Sequence, residues 1–351
     1  MRAASRRCLS PQLPPVKSVV VFRALKLGDM LCAVPAFRAL RRGLPRARIA
    51  LLGLPWARQF AARFPDYIDE FIEFPGYPGL PERECRAEEL ALFLKTMRER
   101  NFDLALQMHG SGNVSNGLIA SLGARVSAGF YPAEEGPRDR EWYLPYPEGA
   151  PEIERNLALI RHLGFPSQGR AIEFPLWEGD GTELCRFREL AELSPGSYVC
   201  LHPGASLREK CWPPEDFAAV GKVIRQSGLA VVVTGNRTES GLAGLVAAGM
   251  GGGCIDAASR DLGLGALALL IGNSRLLICN DTGVSHLATA LGVPSVVVFT
   301  STDPVRWAPL DGTRHRSLGG PGRIPAREEV LHAARSLLSI EGEDHSCMQA
   351  P

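Results

Sequence analysis

The run Val19-Val20-Val21-Phe22-Arg23-Ala24-Leu25-Lys26-Leu27-Gly28-Asp29 decides how this chain is read. Its apolar, β-branched first half predicts a buried strand. Gly28 frees the backbone for a tight turn, and Asp29 opens a helical pattern that runs to Arg42. A carboxylate is thereby set at the carboxyl end of a strand, where open α/β sheets hold their ligands. Asp29 is also the one acidic residue among the first 65, against 13 Lys or Arg, so this segment carries +12 and the remainder −11 within an overall +1. Two roles fit it: a helix N-cap satisfying free backbone N–H groups, and a general base that the surrounding cations keep ionised. The two are compatible, and the rest of the chain must separate them.

Outward from this run, apolar β-rich segments alternate with helical patterns. Strands are expected near residues 16–22, 48–53, 70–74, 102–107 and 125–129, with helices near 29–42, 56–64, 86–100, 113–122 and 152–163. Residues 131–150 read as a long loop, and the Pro- and Gly-bearing stretch Gly164 to Gly181 as a linker. The second half repeats the pattern, with strands near 198–202, 230–234, 254–256, 276–279 and 295–299, and helices near 214–227, 238–248, 262–271, 282–291 and 326–339. Alternation of this kind predicts parallel, doubly wound sheets. The fold class is therefore α/β, with two Rossmann-like halves, 1–165 and 166–351, facing across a ligand-holding cleft.

Composition narrows the function. A chain of 351 residues, 45% hydrophobic and 22% charged, is long enough for two cores and belongs with globular proteins. Its nine cysteines, Cys8 and Cys347 among them, include no C-x-x-C pair, which fits a reducing cytoplasm better than a disulfide or metal framework. Arg2, Arg6 and Arg7 are not followed by an apolar signal core, and no stretch approaches 18 apolar residues, so a cytoplasmic location is expected. The basic first segment, with Arg38, Arg41, Arg42, Arg46 and Arg48, is either a solvated face or a surface for an anionic partner.

Two further strand ends carry polar turns. Asn280-Asp281-Thr282-Gly283-Val284-Ser285-His286 joins a strand to a helix whose N-terminal N–H groups and dipole suit a phosphate, with Gly283 allowing close approach. His202-Pro203-Gly204-Ala205-Ser206 leads into a loop presenting Lys210 as a point charge. An exposed loop lysine and a half-buried helix histidine are the plainer readings of Lys210 and His286. Gly263-Leu264-Gly265-Ala266-Leu267-Ala268 fits a dinucleotide fingerprint only in letters, because no strand precedes it. A P-loop and a G-x-S-x-G elbow are both missing from the sequence, so NTP-driven and serine-hydrolase chemistry lose support.

Taken in order, three blocks resemble glycosyltransferase family 9, the ADP-heptose:lipopolysaccharide heptosyltransferases and their relatives. These are Arg23 to Arg42 with Leu27-Gly28-Asp29, His202 to Phe217 with Lys210-Cys211-Trp212-Pro213, and Asn280 to Phe299. The resemblance implies a GT-B fold with an N-terminal acceptor domain and a C-terminal nucleotide-sugar domain. It implies inverting transfer without a metal or other cofactor, from a donor such as ADP-heptose to an anionic glycolipid or other sugar acceptor. Peripheral contact with the inner membrane surface, and no nucleic-acid partner, go with it. By motif, Asp29 falls on the catalytic aspartate and Lys210 on the donor-phosphate lysine. Gly28, Ser206, Asp281, Thr282, Gly283 and His286 fall on substrate-binding positions, and Glu239 is similar to the acidic residue that holds the ribose. Where better-known members carry two adjacent threonines, this chain has Ala205-Ser206.

Overall fold

The computed structural model describes residues 13–135 and 141–344; Arg2, Arg6, Arg7, Cys8 and Cys347 lie outside the described residues. The chain divides into two compact units, Met1–Ala171 and Ile172–Pro351. The division falls six residues beyond the expected 165, and the reason is local. Arg38 donates to the Ala171 carbonyl at 2.8 Å, and Phe165 lies against Gly43 so closely that any side chain there would collide with its ring. Both contacts tie the connecting stretch to the first unit.

In the first unit the strands are β1 (Ser18–Phe22), β2 (Arg48–Gly53), β3 (Glu70–Glu73), β4 (Leu104–Gln107), β5 (Val126–Tyr131) and β6 (Tyr143–Pro145). Helices α1 (Leu27–Gly43), α2 (Ala57–Ala62), α3 (Ala87–Glu99), α4 (Ser115–Ser121) and α5 (Glu152–His162) connect and cover them. All strand pairs are parallel, in the order β3-β2-β1-β4-β5-β6. β1 is central: Val20 faces Ala50 on one side and Ala105 on the other, and all three are fully buried. This explains a run with no polar alternation, since both faces of a parallel sheet are covered.

The second unit has α6 (Glu178–Leu184), α7 (Arg188–Ala191), β7 (Tyr198–His202), α8 (Pro214–Gln226), β8 (Ala230–Val233), α9 (Ser240–Gly249) and β9 (Ile255–Asp256). It continues through α10 (Leu264–Gly272), β10 (Leu276–Asn280), α11 (Gly283–Ala290), β11 (Ser295–Phe299), α12 (Pro304–Trp307), β12 (His315–Gly319) and α13 (Arg327–Asp344). Its sheet order, β9-β8-β7-β10-β11-β12, is the first unit's order over again. Each unit thus starts at its centre, winds outward to one edge, and crosses back to wind the other way. The reversal leaves a switch point between β1 and β4 and another between β7 and β10.

Several elements depart from the sequence expectation, the short helices α7 and α12 among them. The stretch 131–150 is not wholly loop, because Tyr143–Pro145 pairs with β5 and Tyr146 packs edge-on against Phe130, ring centroids 5.4 Å apart. Edge strand β12, His-Arg-Ser-Leu-Gly, has no apolar run; it is held by five paired positions on β11 and by contact of Ser295 Oγ with His315 Nδ1 at 2.8 Å. The stretch expected as linker ends in helix α6. Among the described residues, no helix is long and apolar enough to cross a membrane.

Part of the basic face is tied into the fold, while Arg42, Arg46 and Arg48 stay exposed. Arg41 donates to the carbonyls of Ala47 and Tyr67 and pairs with Asp69, whose carboxylate also receives the Ile49 N–H at 2.7 Å; Arg48 pairs with Glu70 at 3.2 Å. Arg41 and Arg42 are therefore not equivalent surface charges. Charged hydrogen bonds of this kind are each worth about 1.5–3 kcal/mol. Arg41→Ala should lower the unfolding free energy in urea by roughly that amount, whereas exposed Arg42→Ala should stay within about 0.5 kcal/mol of wild type.

Candidate active site

At the first switch point, β1 ends in Phe22 and the next residue, Arg23, is only 1% exposed. A buried guanidinium is tolerable only if its donors are paired. Nε and Nη2 donate to the Asp29 carbonyl at 3.0 and 2.7 Å, Nη1 donates to the Met108 carbonyl and, at 3.2 Å, to Asn156 Oδ1, and Nη2 pairs with Glu152 at 3.0 Å. Asn156 in turn donates to the Cys32 carbonyl of α1, so helix α5 braces both the guanidinium and the helix behind Asp29. The Asp29 carboxylate, 19% exposed, has Oδ1 3.9 Å from Arg23 Nη2, while Oδ2 accepts the Lys26 N–H at 3.3 Å. Helix α1 begins at Leu27 with Lys26 in the N-cap position, so Asp29 sits in the first turn rather than as the N-cap. Gly28, buried beside it, completes that turn.

The strand across the switch point contributes His109. Its ring stacks on Phe22 with centroids 4.9 Å apart, and Nδ1 accepts the Ala24 N–H at 3.3 Å. The ring proton therefore belongs on Nε2, which faces Glu82 Oε1 at 3.3 Å. Gln107 holds the loop: its amide donates to the His109 carbonyl and to Ser115, and its oxygen accepts the Phe130 N–H.

At the second switch point the organiser is Asn280, fully buried at the end of β10. Its Oδ1 accepts the Trp212 N–H at 2.9 Å and its Nδ2 donates to the Pro203 carbonyl at 2.7 Å, closing the loop after β7 onto the end of β10. Trp212 is itself fully buried, edge-on to Phe217, with its indole N–H on the Pro325 carbonyl. Lys210, two residues earlier, is thereby directed to Asp281 Oδ2 at 3.4 Å, the same oxygen that accepts the Thr302 hydroxyl at 2.7 Å. Thr282 occupies the N-cap position of α11 without a side-chain cap bond, and Gly283 opens the helix. His286 lies buried one turn in, edge-on to Trp307.

Glu239 comes to the same place from the loop after β8. Its carboxylate accepts the Asn236 N–H at 2.9 Å, lies 3.7 Å from His202 Nε2, and fits against the chain only because residue 204 is glycine. Ser206, by contrast, is exposed on the loop. The expected residues thus gather in two groups: Gly28 and Asp29 in the first unit; Lys210, Asp281, Thr282, Gly283, His286 and Glu239 in the second. Among the described residues, no group of three or more His, Cys, Asp or Glu side chains could hold a metal ion.

Each unit thus carries expected residues at a strand-end switch point, and the sequence match decides the family. Residues 90–325 match the family description glycosyltransferase family 9 (heptosyltransferase). The chain belongs to this family. It is 25% identical over 338 residues to lipopolysaccharide heptosyltransferase 3 of Escherichia coli K12, covering 90% of this chain and 92% of that protein. In structure it is similar to the family 9 glycosyltransferase of Veillonella parvula DSM 2008, with TM-score 0.79 and 21% identity over 94% of this chain and 100% of the other. It is also similar to the E. coli ADP-heptose lps heptosyltransferase II, with TM-score 0.71 and 21% identity over 93% and 99%. The chain is accordingly a glycosyltransferase of the GT-B fold.

Several residues of this glycosyltransferase's site escaped the sequence reading. Arg23 counted there only as one positive charge among 13, though a lone arginine closing an apolar run is itself a sign of a buried, paired cation. Thr302 belongs to no motif, and Asn280 and Gly204, though read as parts of the strand-end turns, act through partners 68 to 77 and 35 residues away in the chain, which spacing does not reveal. His109 and Glu82 belong to no motif.

Burial pushes the His109 imidazole down to about 4, with Glu82 opposing the shift and Arg23 adding to it. The unfolded chain takes up this proton near pH 6.5 and the folded chain does not, so the stability contribution is full above pH 6.5 and is lost as pH falls toward 4. For one histidine the loss is on the order of 3 kcal/mol by pH 4. The urea unfolding free energy should decline over this interval, and His109→Asn should show a shallower decline than wild type.

Proposed function

We propose that this enzyme transfers a heptose from ADP-heptose to a hydroxyl of an anionic, lipopolysaccharide-core-like glycolipid, with inversion at the anomeric carbon. The observation that carries the reading is the division of chemistry between the two switch points. A braced carboxylate, Asp29, stands at one, and a lysine beside an uncapped helix start, Lys210 and α11, at the other. The donor and acceptor are suggested by the relatives, which are lipopolysaccharide and ADP-heptose heptosyltransferases by name.

In this reading Glu239 accepts hydrogen bonds from the nucleotide ribose, while Lys210 and the first turn of α11 face the diphosphate. Asp29 takes the proton of the acceptor hydroxyl as its oxygen attacks the anomeric carbon. The bond from that carbon to the diphosphate oxygen breaks, and its electron pair leaves on the nucleoside diphosphate. One displacement inverts the configuration. General-base assistance is worth about 10²–10⁴ in rate, and each well-placed donor to the leaving charge about 2.7–4 kcal/mol. Lys210 has three N–H donors, so contact with Asp281 leaves it able to meet phosphate oxygens.

A second reading keeps this chemistry with another polysaccharide or a soluble acceptor. It is favoured by the internal use of Arg38 and Arg41, which leaves less basic surface for an anionic lipid. A nucleotide-sugar binder without turnover would have no use for Asp29.

Release of nucleoside diphosphate from a panel of nucleotide sugars tests the donor: ADP-heptose should be turned over and UDP-sugars should not. Asp29→Asn should cut kcat at least 100-fold with donor Kd within about twofold; parallel loss of both would make Asp29 a helix-start residue only. Turnover should survive EDTA, and a strict requirement for Mg²⁺ or Mn²⁺ would contradict the role given to Lys210.

A further inference from the structure

We propose that Arg23 is the positioning residue of the Asp29 carboxylate, fixing its place and its charge while touching no substrate itself. The inference rests on the reading of Asp29 as the base. At 1% exposure the guanidinium has no route to a ligand, yet it meets three separate pieces of the chain that converge on the turn before α1. Its Nε and Nη2 bind the carbonyl of Asp29, its Nη1 binds the carbonyl of Met108 in the loop after β4 and the side chain of Asn156, and its Nη2 meets Glu152. The planar fork therefore sets the distance between the end of β1, the first turn of α1, the β4 loop and α5. A lysine in its place would keep the charge but could not span these partners.

The same guanidinium sets the electrostatics. Nη2 lies 3.9 Å from Asp29 Oδ1 and 3.0 Å from Glu152 Oε1, so one cation is shared by two carboxylates. Other charged or titratable groups facing the turn include exposed Lys26, on whose N–H the second Asp29 oxygen rests, and His109 with Glu82 on the loops after β4 and β3. His109 stays neutral above about pH 4 because of burial, so its charge does not change where Asp29 would act. Glu152 has a different task, as it balances the guanidinium from the α5 side; without it the arginine would carry one partner fewer and no longer be drawn away from Asp29 Oδ1.

Three variants of the full chain test this: Arg23→Gln, Arg23→Lys and Glu152→Gln. Each is measured for melting temperature, donor Kd, kcat at saturating donor, and the acid limb of kcat against pH, beside Asp29→Asn. A misplacement of the base by about 1 Å costs on the order of 100-fold. Arg23→Lys is expected to lower kcat 10- to 100-fold with donor Kd within about twofold and the acid limb near its wild-type position. Arg23→Gln should lower kcat further and move the acid limb to higher pH, because the neighbouring cation is gone. Glu152→Gln should move that limb to lower pH. If Arg23→Gln does not fold, Arg23→Lys and Glu152→Gln carry the test on their own. Folded Arg23→Lys with wild-type kcat, or an acid limb that moves in neither Gln variant that folds, would overturn the proposal while a dead Asp29→Asn left the base intact. An active Asp29→Asn would instead overturn the reading beneath it.

Discussion

Everything at both sites depends on one constraint of parallel sheets: a chain that starts in the middle of the sheet must reverse its winding direction once, and at that place two neighbouring strands send their following segments to opposite sides. In this glycosyltransferase the constraint operates twice, between β1 and β4 and again between β7 and β10. At each reversal no crossover helix joins the two neighbouring strands, so the segments that follow them meet across the strand ends. A carboxylate stands at the first reversal, and a lysine with a helix start at the second.

Open strand ends are floppy unless something closes them, and each unit uses a buried polar side chain for that purpose. In the first unit it is Arg23, whose five donors are spread over α1, the β4 loop and α5. In the second it is Asn280, which takes the Trp212 N–H and gives to the Pro203 carbonyl, so that the loop bearing Lys210 is pinned at both ends. A buried polar group left unpaired costs about 1–3 kcal/mol, and more if charged. Both clamps are therefore cooperative, since losing one partner strands the rest. The groups proposed to act on substrate are less buried than their clamps: Asp29 is 19% exposed and Lys210 19%, against 1% for Arg23 and none for Asn280.

The sequence made the fold legible where burial is two-sided. Val19 to Phe22, Tyr198 to His202 and Ser295 to Phe299 are continuous apolar runs because helices cover both faces, and each forms the strand expected of it. It anticipated edge strands β3 and β9 but was silent at the opposite edges, where β6 and β12 are held by pairing with a neighbour and carry Pro145, Arg316 and Ser317. At the site, the strand-end turns stood out because polar residues crowd after apolar ones. What stayed hidden is how they are held. Arg23 and Asn280 differ from any other polar residue only through partners up to 133 positions away, and the basic face around Arg41 reads as surface until Asp69 and the Ala47 carbonyl are brought to it by the fold.

In the proposed function, the donor is held by the β7/β10 switch point through Lys210 and α11, while Asp29 serves the acceptor. Hydrogen–deuterium exchange of the full chain with and without ADP, in the presence of EDTA, tests this most directly. Slowed exchange is expected in peptides covering 202–212, 234–240 and 280–287, with 22–30 and 107–112 unchanged. Slowed exchange centred on 22–30, or ADP protection that appears only when a divalent metal is supplied, would contradict it.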